Sequence, residues 1–240
     1  MPASLNSRPY VVLNAAMSLD GKIATFTGDS RMSSPADMRR VHRLRASVDA
    51  IMVGLRTLLR DDPKLTVRFV KAPKTYRIIV DSNALSPPSS YVIRTAREIP
   101  TIIAVTSRAP KKRIEGLKKM GVTVIVCGRG PLVSLKLLLN RLRSLRIRRI
   151  LLEGGGTLNW SMLSNQLVDE ISVAITPRIL GGSSATTLIE GKGNALVRDA
   201  IQLKLLGSAR YGPDLVVRYK VLGGTNSAIG RSRGSTWASR

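Results

Sequence analysis

Apolar and polar positions follow two different periods along this 240-residue chain. Short runs that are apolar at nearly every position recur: Tyr10–Met17 (YVVLNAAM), Asp49–Gly54 (DAIMVG), Tyr76–Asp81 (YRIIVD), Thr101–Thr106 (TIIAVT), Val122–Cys127 (VTVIVC) and Arg148–Gly154 (RRILLEG). They are rich in β-branched residues and read as strands covered on both faces. Asp169–Pro177 reads as a further strand. Gln202–Ala209 and Asp214–Leu222 then alternate, and the RYGP between them predicts a hairpin.

Helical spacing fills the gaps. Ser34-Pro35-Ala36-Asp37 is a capping signature with proline at the first helical position, and MRRVHRLRAS continues it. Val41, Leu44 and Val48 form its apolar stripe; His42, the lone histidine, sits among arginines and reads as a surface residue. Pro131 is expected to open a leucine-rich helix, LVSLKLLLNRLRS. Strand alternating with helix predicts a three-layer α/β fold, its sheet mainly parallel with an antiparallel C-terminal edge hairpin. With no long linker, residues 8–222 read as one domain, and the Gly/Ser/Arg-rich tail, 223–240, reads as disordered.

Composition narrows the function. No apolar run approaches the roughly 18 residues a membrane span needs, and the N-terminus shows no secretory leader. One cysteine, Cys127, excludes a disulfide framework and a multi-cysteine zinc site, and reads as a buried small hydrophobe. A reducing, cytoplasmic setting follows. The net charge of +24 would suit nucleic acid or a phosphorylated small molecule. Only 4% of residues are aromatic and no nucleic-acid motif accompanies the charge, so a solvated basic surface is the preferred reading.

Three segments can carry chemistry. In LLEGGGTLNW (Leu151–Trp160), three glycines join a strand to a helix, which makes either a tight turn or a backbone cradle for phosphate at a helix N-terminus. It is neither G-x-G-x-x-G nor a Walker loop. Glu153 beside it is a strand-end carboxylate or an acceptor for a ligand. In GLRTLLRDDPKLTVR (Gly54–Arg68), Thr57 and Asp61 share a helical face and Arg68 lies beyond, in an extended run. In SLDGKIATFTGDSRMSSP (Ser18–Pro35), Asp20-Gly21 and Gly28-Asp29-Ser30 form turns. No G-x-S-x-G elbow and no histidine–cysteine constellation is present.

Taken together, MSLDGKIAT, GDSRMSSPADMRRVHRLRA, VGLRTLLRDDPKLTVR, IIVDS, LLEGGGTLN and TPRILGG resemble the riboflavin-pathway reductases, over about Arg8 to Leu222. That family comprises the C-terminal half of the bacterial bifunctional deaminase–reductase and free-standing archaeal and fungal enzymes. The resemblance implies a dihydrofolate-reductase-like fold, a homodimer, NADPH as reductant and a diaminopyrimidinone ribosylamine 5′-phosphate as substrate, reduced at ribose C1′. The deaminase pattern does not precede Tyr10, which favours the order in which reduction comes before deamination.

The same resemblance assigns the site. Cofactor contacts fall on Ala16, Met32, Thr57, Asp61, Ser82 and the stretch Gly155, Gly156, Thr157, Leu158, Asn159, Trp160 and Ser161. Substrate contacts fall on Ser30, Arg45, Leu65, Arg68 and Glu153, with Asn14 a looser candidate. Arg45 and Arg68 are suited to gripping a phosphate. The catalytic residue stays open between Glu153 and Asp61; no metal is expected. After Asp81-Ser82 the family often carries a basic residue, where this chain has NALSPPSS, so NADH also stays open as reductant. A same-fold reductase of a pterin-like heterocycle and a basic nucleic-acid binder are the alternative functions.

Overall fold

A computed structural model describes residues 8–223. In chain order the elements are β1 (Tyr10–Met17), α1 (Pro35–Ala46), β2 (Ala50–Gly54), α2 (Leu55–Asp61), β3 (Tyr76–Val80), α3 (Tyr91–Arg94), β4 (Thr101–Val105) and α4 (Lys111–Lys119). They continue with β5 (Thr123–Val126), α5 (Leu135–Ser144), β6 (Arg149–Leu152), α6 (Gly156–Ser164), β7 (Glu170–Ile175), β8 (Leu203–Tyr211) and β9 (Asp214–Val221). All nine strands join one sheet in the order β5-β4-β3-β2-β6-β1-β7-β9-β8. Strands β1 to β7 pair in parallel, and β9 turns antiparallel on β7 and β8. The expected fold class is therefore found, with the hairpin at the expected edge.

Apolar-on-every-position strands have two faces to cover. Ala50 and Met52 of β2 pack with Ile78, Ile102, Leu138, Leu142 and Met162 under α5 and α6. Ile51 and Val53 point the other way, to Leu58, Ile79, Val92, Ile103 and Leu117 under α2, α3 and α4. Cys127 is fully buried in the first of these layers, and burial raises its thiol pKa to about 11. No helix among the described residues is long and apolar enough to cross a membrane.

Topology places the site. The chain walks outward from β2 to β5, then returns to insert β6 between β2 and β1. Strand order reverses at that insertion, so a crevice opens beyond the carboxyl ends of β1, β2, β3 and β6. The glycine stretch leaves β6 into this crevice.

One expectation needs correction. Pro131 does not open a helix: residues 131–134 stay irregular, and α5 starts at Leu135 because the Ser134 hydroxyl accepts the Leu137 N–H at 3.4 Å. A capping hydroxyl wins over a proline, which offers no such acceptor. At its other end α5 stops at Ser144, Arg146 turns left-handed (φ 63°), and Arg149 begins β6. The tail expected to be disordered lies, but for Gly223, outside the described residues.

Arg77 ties the sheet to its helices without a carboxylate. Fully buried on β3, it donates to the carbonyls of Val92, Thr95 and Ile99 and the hydroxyls of Thr95 and Thr101, at 2.6–3.1 Å. Burial pulls its pKa down to about 10, so the charge survives at neutral pH. Replacing it with methionine keeps much of the volume but strands those carbonyls. Arg77→Met is expected to lower stability by about 2–4 kcal/mol, read as a shift of the urea midpoint at constant slope.

Candidate active site

The glycine turn is fastened before it becomes a helix. Glu153 N–H donates to the Met52 carbonyl at 2.9 Å, and Gly54 N–H donates to the Gly154 carbonyl at 2.8 Å, so the turn rides on the end of β2. Gly154 has φ +90°, which side-chain-bearing residues rarely adopt, and the Gly154–Gly155 peptide is cis. At Gly156 a Cβ would stand 2.6 Å from the Thr187 carbonyl oxygen, so this position admits no side chain. The first helical bond runs from Asn159 N–H to the Gly155 carbonyl at 3.0 Å. The N–H groups of Gly156, Thr157 and Leu158 are left without helical partners at the positive end of α6. Free donors, a helix dipole and a bare backbone suit an anion, and the pyrophosphate of a dinucleotide fits that set.

These donors open onto a cavity of about 640 Å³. Of the expected cofactor positions, Thr57, Ser82, Gly155, Gly156, Thr157, Leu158 and Ser161 line it. Thr57 faces the turn, its Oγ1 3.3 Å from where a Cβ on Gly155 would stand. Ser82 Oγ accepts the Val133 N–H at 3.1 Å and joins the end of β3 to the loop before α5. Arg56, Asn83, Ser134, Lys136 and Glu190 line the same cavity and were not foreseen, since only the β6 return brings α5 opposite α2. Arg56 and Lys136 have no carboxylate partner among the described residues.

Beside the turn lies a charged cluster. Arg45 of α1 meets Glu153 fork to fork, Nε to Oε1 at 2.8 Å and Nη2 to Oε2 at 2.7 Å, both side chains largely buried. Burial opposes the arginine's charge, but the Glu153 carboxylate outweighs it and raises the Arg45 pKa. Arg45 Nη1 also donates to the Thr66 carbonyl at 3.1 Å. Asp61 accepts from Arg60 at 2.9 Å and from Ser30 Oγ at 3.4 Å. Arg68 has no carboxylate partner among the described residues. The Arg45 fork is thus occupied by Glu153, whereas Arg68 carries no such pair.

Other side chains lie away from the cavity. Asn14 does not reach the crevice; it faces α1, and its Oδ1 accepts from Arg40 at 2.9 Å in a buried network with Asp37 and Ser172. A buried arginine needs acceptors on every arm, and Asn14 supplies one. Asn159 is buried and donates to the Leu188 carbonyl at 2.9 Å. Trp160 points from the opposite side of α6 into an apolar hollow with Leu163, Ile189 and Ile201. Leu65 is buried in the core, Met32 is buried, and Ala16 is half-buried; none of the three lines the cavity. His42, read as a surface residue, is fully buried, because the 62–69 segment folds over α1 and its Nδ1 accepts the Arg68 backbone N–H at 2.8 Å.

A largely parallel α/β sheet with a glycine turn that leaves helix-terminal donors free, beside a charged cluster, has the make-up of a nucleotide-dependent enzyme acting on a polar substrate. The chain belongs to the RibD C-terminal domain family, whose model matches residues 9–217. It is 50% identical over 219 residues to the 2,5-diamino-6-ribosylamino-4(3H)-pyrimidinone 5′-phosphate reductase of Methanothermobacter thermautotrophicus, covering 90% of this chain and 100% of that one. It is 38% identical to the protein of the same name from Aquifex aeolicus, covering 90% and 97%. Among solved structures, RibD of Acinetobacter baumannii superposes with a TM-score of 0.77 at 25% identity, over 90% of this chain and 59% of that one. The riboflavin biosynthesis reductase Rib7 of Saccharomyces cerevisiae shares the fold, with a TM-score of 0.71 at 24% identity over 91% and 92%.

Burial gives His42 a pH signature. Desolvation, with Arg45 and Arg68 adding to it against an opposing Glu153, lowers its pKa from 6.5 to about 4. Below 6.5 the unfolded chain takes up a proton that the folded chain refuses until about 4. Stability from this residue is therefore complete above pH 6.5 and falls as pH drops toward 4. The slope approaches about 1.4 kcal/mol per pH unit at most. Urea midpoints from pH 7 to 4.5 should show a component of that sign in the wild type that is absent in His42→Asn.

Proposed function

We propose that this protein reduces 2,5-diamino-6-ribosylamino-4(3H)-pyrimidinone 5′-phosphate to its ribitylamino product, with NADPH as reductant, in riboflavin biosynthesis. The observation that carries this reading is the juxtaposition, across Glu153–Gly156, of an anion-binding helix terminus and a charged cluster with one unpaired arginine. The names of relatives 50% and 38% identical over nearly the whole chain support it. On this reading residues 8–222 are a single reductase domain working in the cytoplasm.

Each residue has a job. Gly156, Thr157 and Leu158 offer backbone donors to the pyrophosphate, and Thr57, Ser82 and Ser161 offer hydroxyls along the cavity. Arg68 takes the substrate's 5′-phosphate. The Glu153 carboxylate, held by Arg45, keeps lone pairs for donors on the pyrimidine or the sugar. A bound reduced nicotinamide supplies hydride to C1′ of the opened, iminium-like sugar. The protein holds the sugar end against Glu153 and excludes water; Asp61, paired with Arg60, steadies the far wall. Since Glu153 and Asp61 are both tied to arginines, neither is needed as a proton donor.

That view is tested by following oxidation of the reduced cofactor with the diamino substrate and its deaminated counterpart side by side. Wild type should turn over the diamino compound. Glu153→Gln and Asp61→Asn should raise KM about tenfold or more and leave kcat within a few-fold. Loss of kcat by several orders of magnitude in either would restore a proton-transfer role, and turnover of neither compound would refute the assignment.

Preference for NADPH over NADH is assigned to Arg56 and Lys136. Both line the same cavity as Ser82 and Asn83 and have no carboxylate partner among the described residues, so they are free to meet the 2′-phosphate of an adenosine half bound there. They stand in for the basic residue missing after Ser82. The double variant Arg56→Ala/Lys136→Ala should raise KM for NADPH about tenfold and leave KM for NADH unchanged, the cost of about one charge-assisted contact. Assembly as a homodimer is supported by the edge strand β8, which exposes Leu203, Leu205 and Leu206.

A further inference from the structure

His42 takes no part in the chemistry proposed above, yet among the described residues it is the only fully buried ionisable side chain that contacts the segment bearing Arg68. That segment, 62–69, has no helix or strand of its own beyond the cap of α2. Leu65 (φ 49°) and Phe69 (φ 68°) are left-handed, a conformation that residues with side chains adopt reluctantly. Something must hold the chain there. Leu65 is anchored in the core, and two groups one turn apart on α1 take hold of the rest. Arg45 donates to the Thr66 carbonyl at 3.1 Å, and His42 Nδ1 accepts the Arg68 N–H at 2.8 Å. The His42 ring also meets Phe69 edge-on, centroids 4.9 Å apart at 85°.

A neutral imidazole has one acceptor nitrogen. With Nδ1 engaged by the Arg68 backbone, Nε2 carries the hydrogen, so the Arg68 Nη2 that lies 3.3 Å from Nε2 is not hydrogen-bonded to it. His42 therefore grips the backbone of residue 68 and leaves its guanidinium unspent. The groups around the ring are Arg45, Arg68 and Glu153, and their balance, with burial, keeps the ring neutral.

We propose that His42 is a positioning residue: through Nδ1 it locks the backbone of Arg68 so that the free guanidinium is presented beside the Arg45–Glu153 pair for the substrate's phosphate. The role rests on the reading of Arg68 as the phosphate-binding cation. It adds that α1 sets the geometry of that cation through the backbone, and that any residue offering an acceptor at the Nδ1 position can do so.

Three variants test this. His42→Asn keeps an acceptor at that position; His42→Leu removes it; His42→Phe removes it but keeps a ring against Phe69, and serves where leucine fails to fold. Hydrogen exchange at the Arg68 amide reads the lock without any substrate: protection should persist in wild type and His42→Asn and fall at least tenfold in His42→Phe and His42→Leu, as expected for a lost hydrogen bond. In turnover, the acceptor-free variants should raise KM for the phosphorylated substrate by about ten- to a hundredfold, with KM for NADPH and kcat within about twofold. His42→Asn should recover most of that loss. Adding His42→Phe to Arg68→Ala should cost nothing further. Equal behaviour of His42→Asn and His42→Phe, or additivity with Arg68→Ala, would overturn the positioning role. Wild type that protects the Arg68 amide but turns over no substrate would instead overturn the functional reading beneath it.

Discussion

The site depends on one ion pair, Arg45 with Glu153. Its two short contacts join the C-terminal half of α1 to the residue that begins the glycine turn, and a third arm of Arg45 reaches the Thr66 carbonyl. Three segments distant in sequence thus meet on one guanidinium. Both side chains are mostly out of solvent, 14% and 12% exposed, so the pair cannot be treated as a surface bridge worth little. Removing one partner would leave the other desolvated and alone, at about 3–5 kcal/mol. A planar fork also fixes direction, which a lysine ammonium would not. Glu153 cannot swing away from its place beside the glycine turn without giving up both bonds.

The same pair explains the division of labour among the cations. Arg40 is sunk among Asp37, Asn14 and Ser172, Arg77 among carbonyls and hydroxyls, and Arg60 lies against Asp61. Each of these is spent on structure. Arg68, Arg56 and Lys136 have no acid to answer them among the described residues, and Arg56 and Lys136 border the cavity while Arg68 adjoins the Glu153 cluster. A net charge of +24 does not distinguish cations already paired within the fold from those left free; their hydrogen-bond accounts do.

Much of this was legible in the chain. Strands buried on both faces announce themselves as continuous β-branched runs, so Tyr10–Met17 begins and ends where its pattern does, and the Ser34 cap is a local matter that needs no tertiary knowledge. The glycine turn was legible as a turn with two meanings, and its fastening to β2 decided nothing until the strand order was known. His42 and Asn14 were misplaced for a shared reason. Their environments are made by other segments, the 62–69 loop over one and Arg40 over the other, and helix periodicity carries no trace of a loop that folds across it. Arg56 and Lys136 were missed because their partnership depends on β6 returning between β2 and β1, a topological fact invisible to either local sequence.

Strain and its restraint complete the picture. The 62–69 segment follows a helix that ends in a left-handed Asp62, whose carboxylate accepts the Tyr91 N–H at 2.8 Å, and it holds two more left-handed residues. A loop of this kind would relax if it were free. Here it is pinned from the core by Leu65, from α3 by Asp62 and from α1 by His42 and Arg45. Restraint from three sides holds Arg68 at a defined place beside the crevice. On the proposed reading, binding to a loop already held in place costs little reordering, which leaves the interaction energy of the phosphate for aligning the sugar with the reductant.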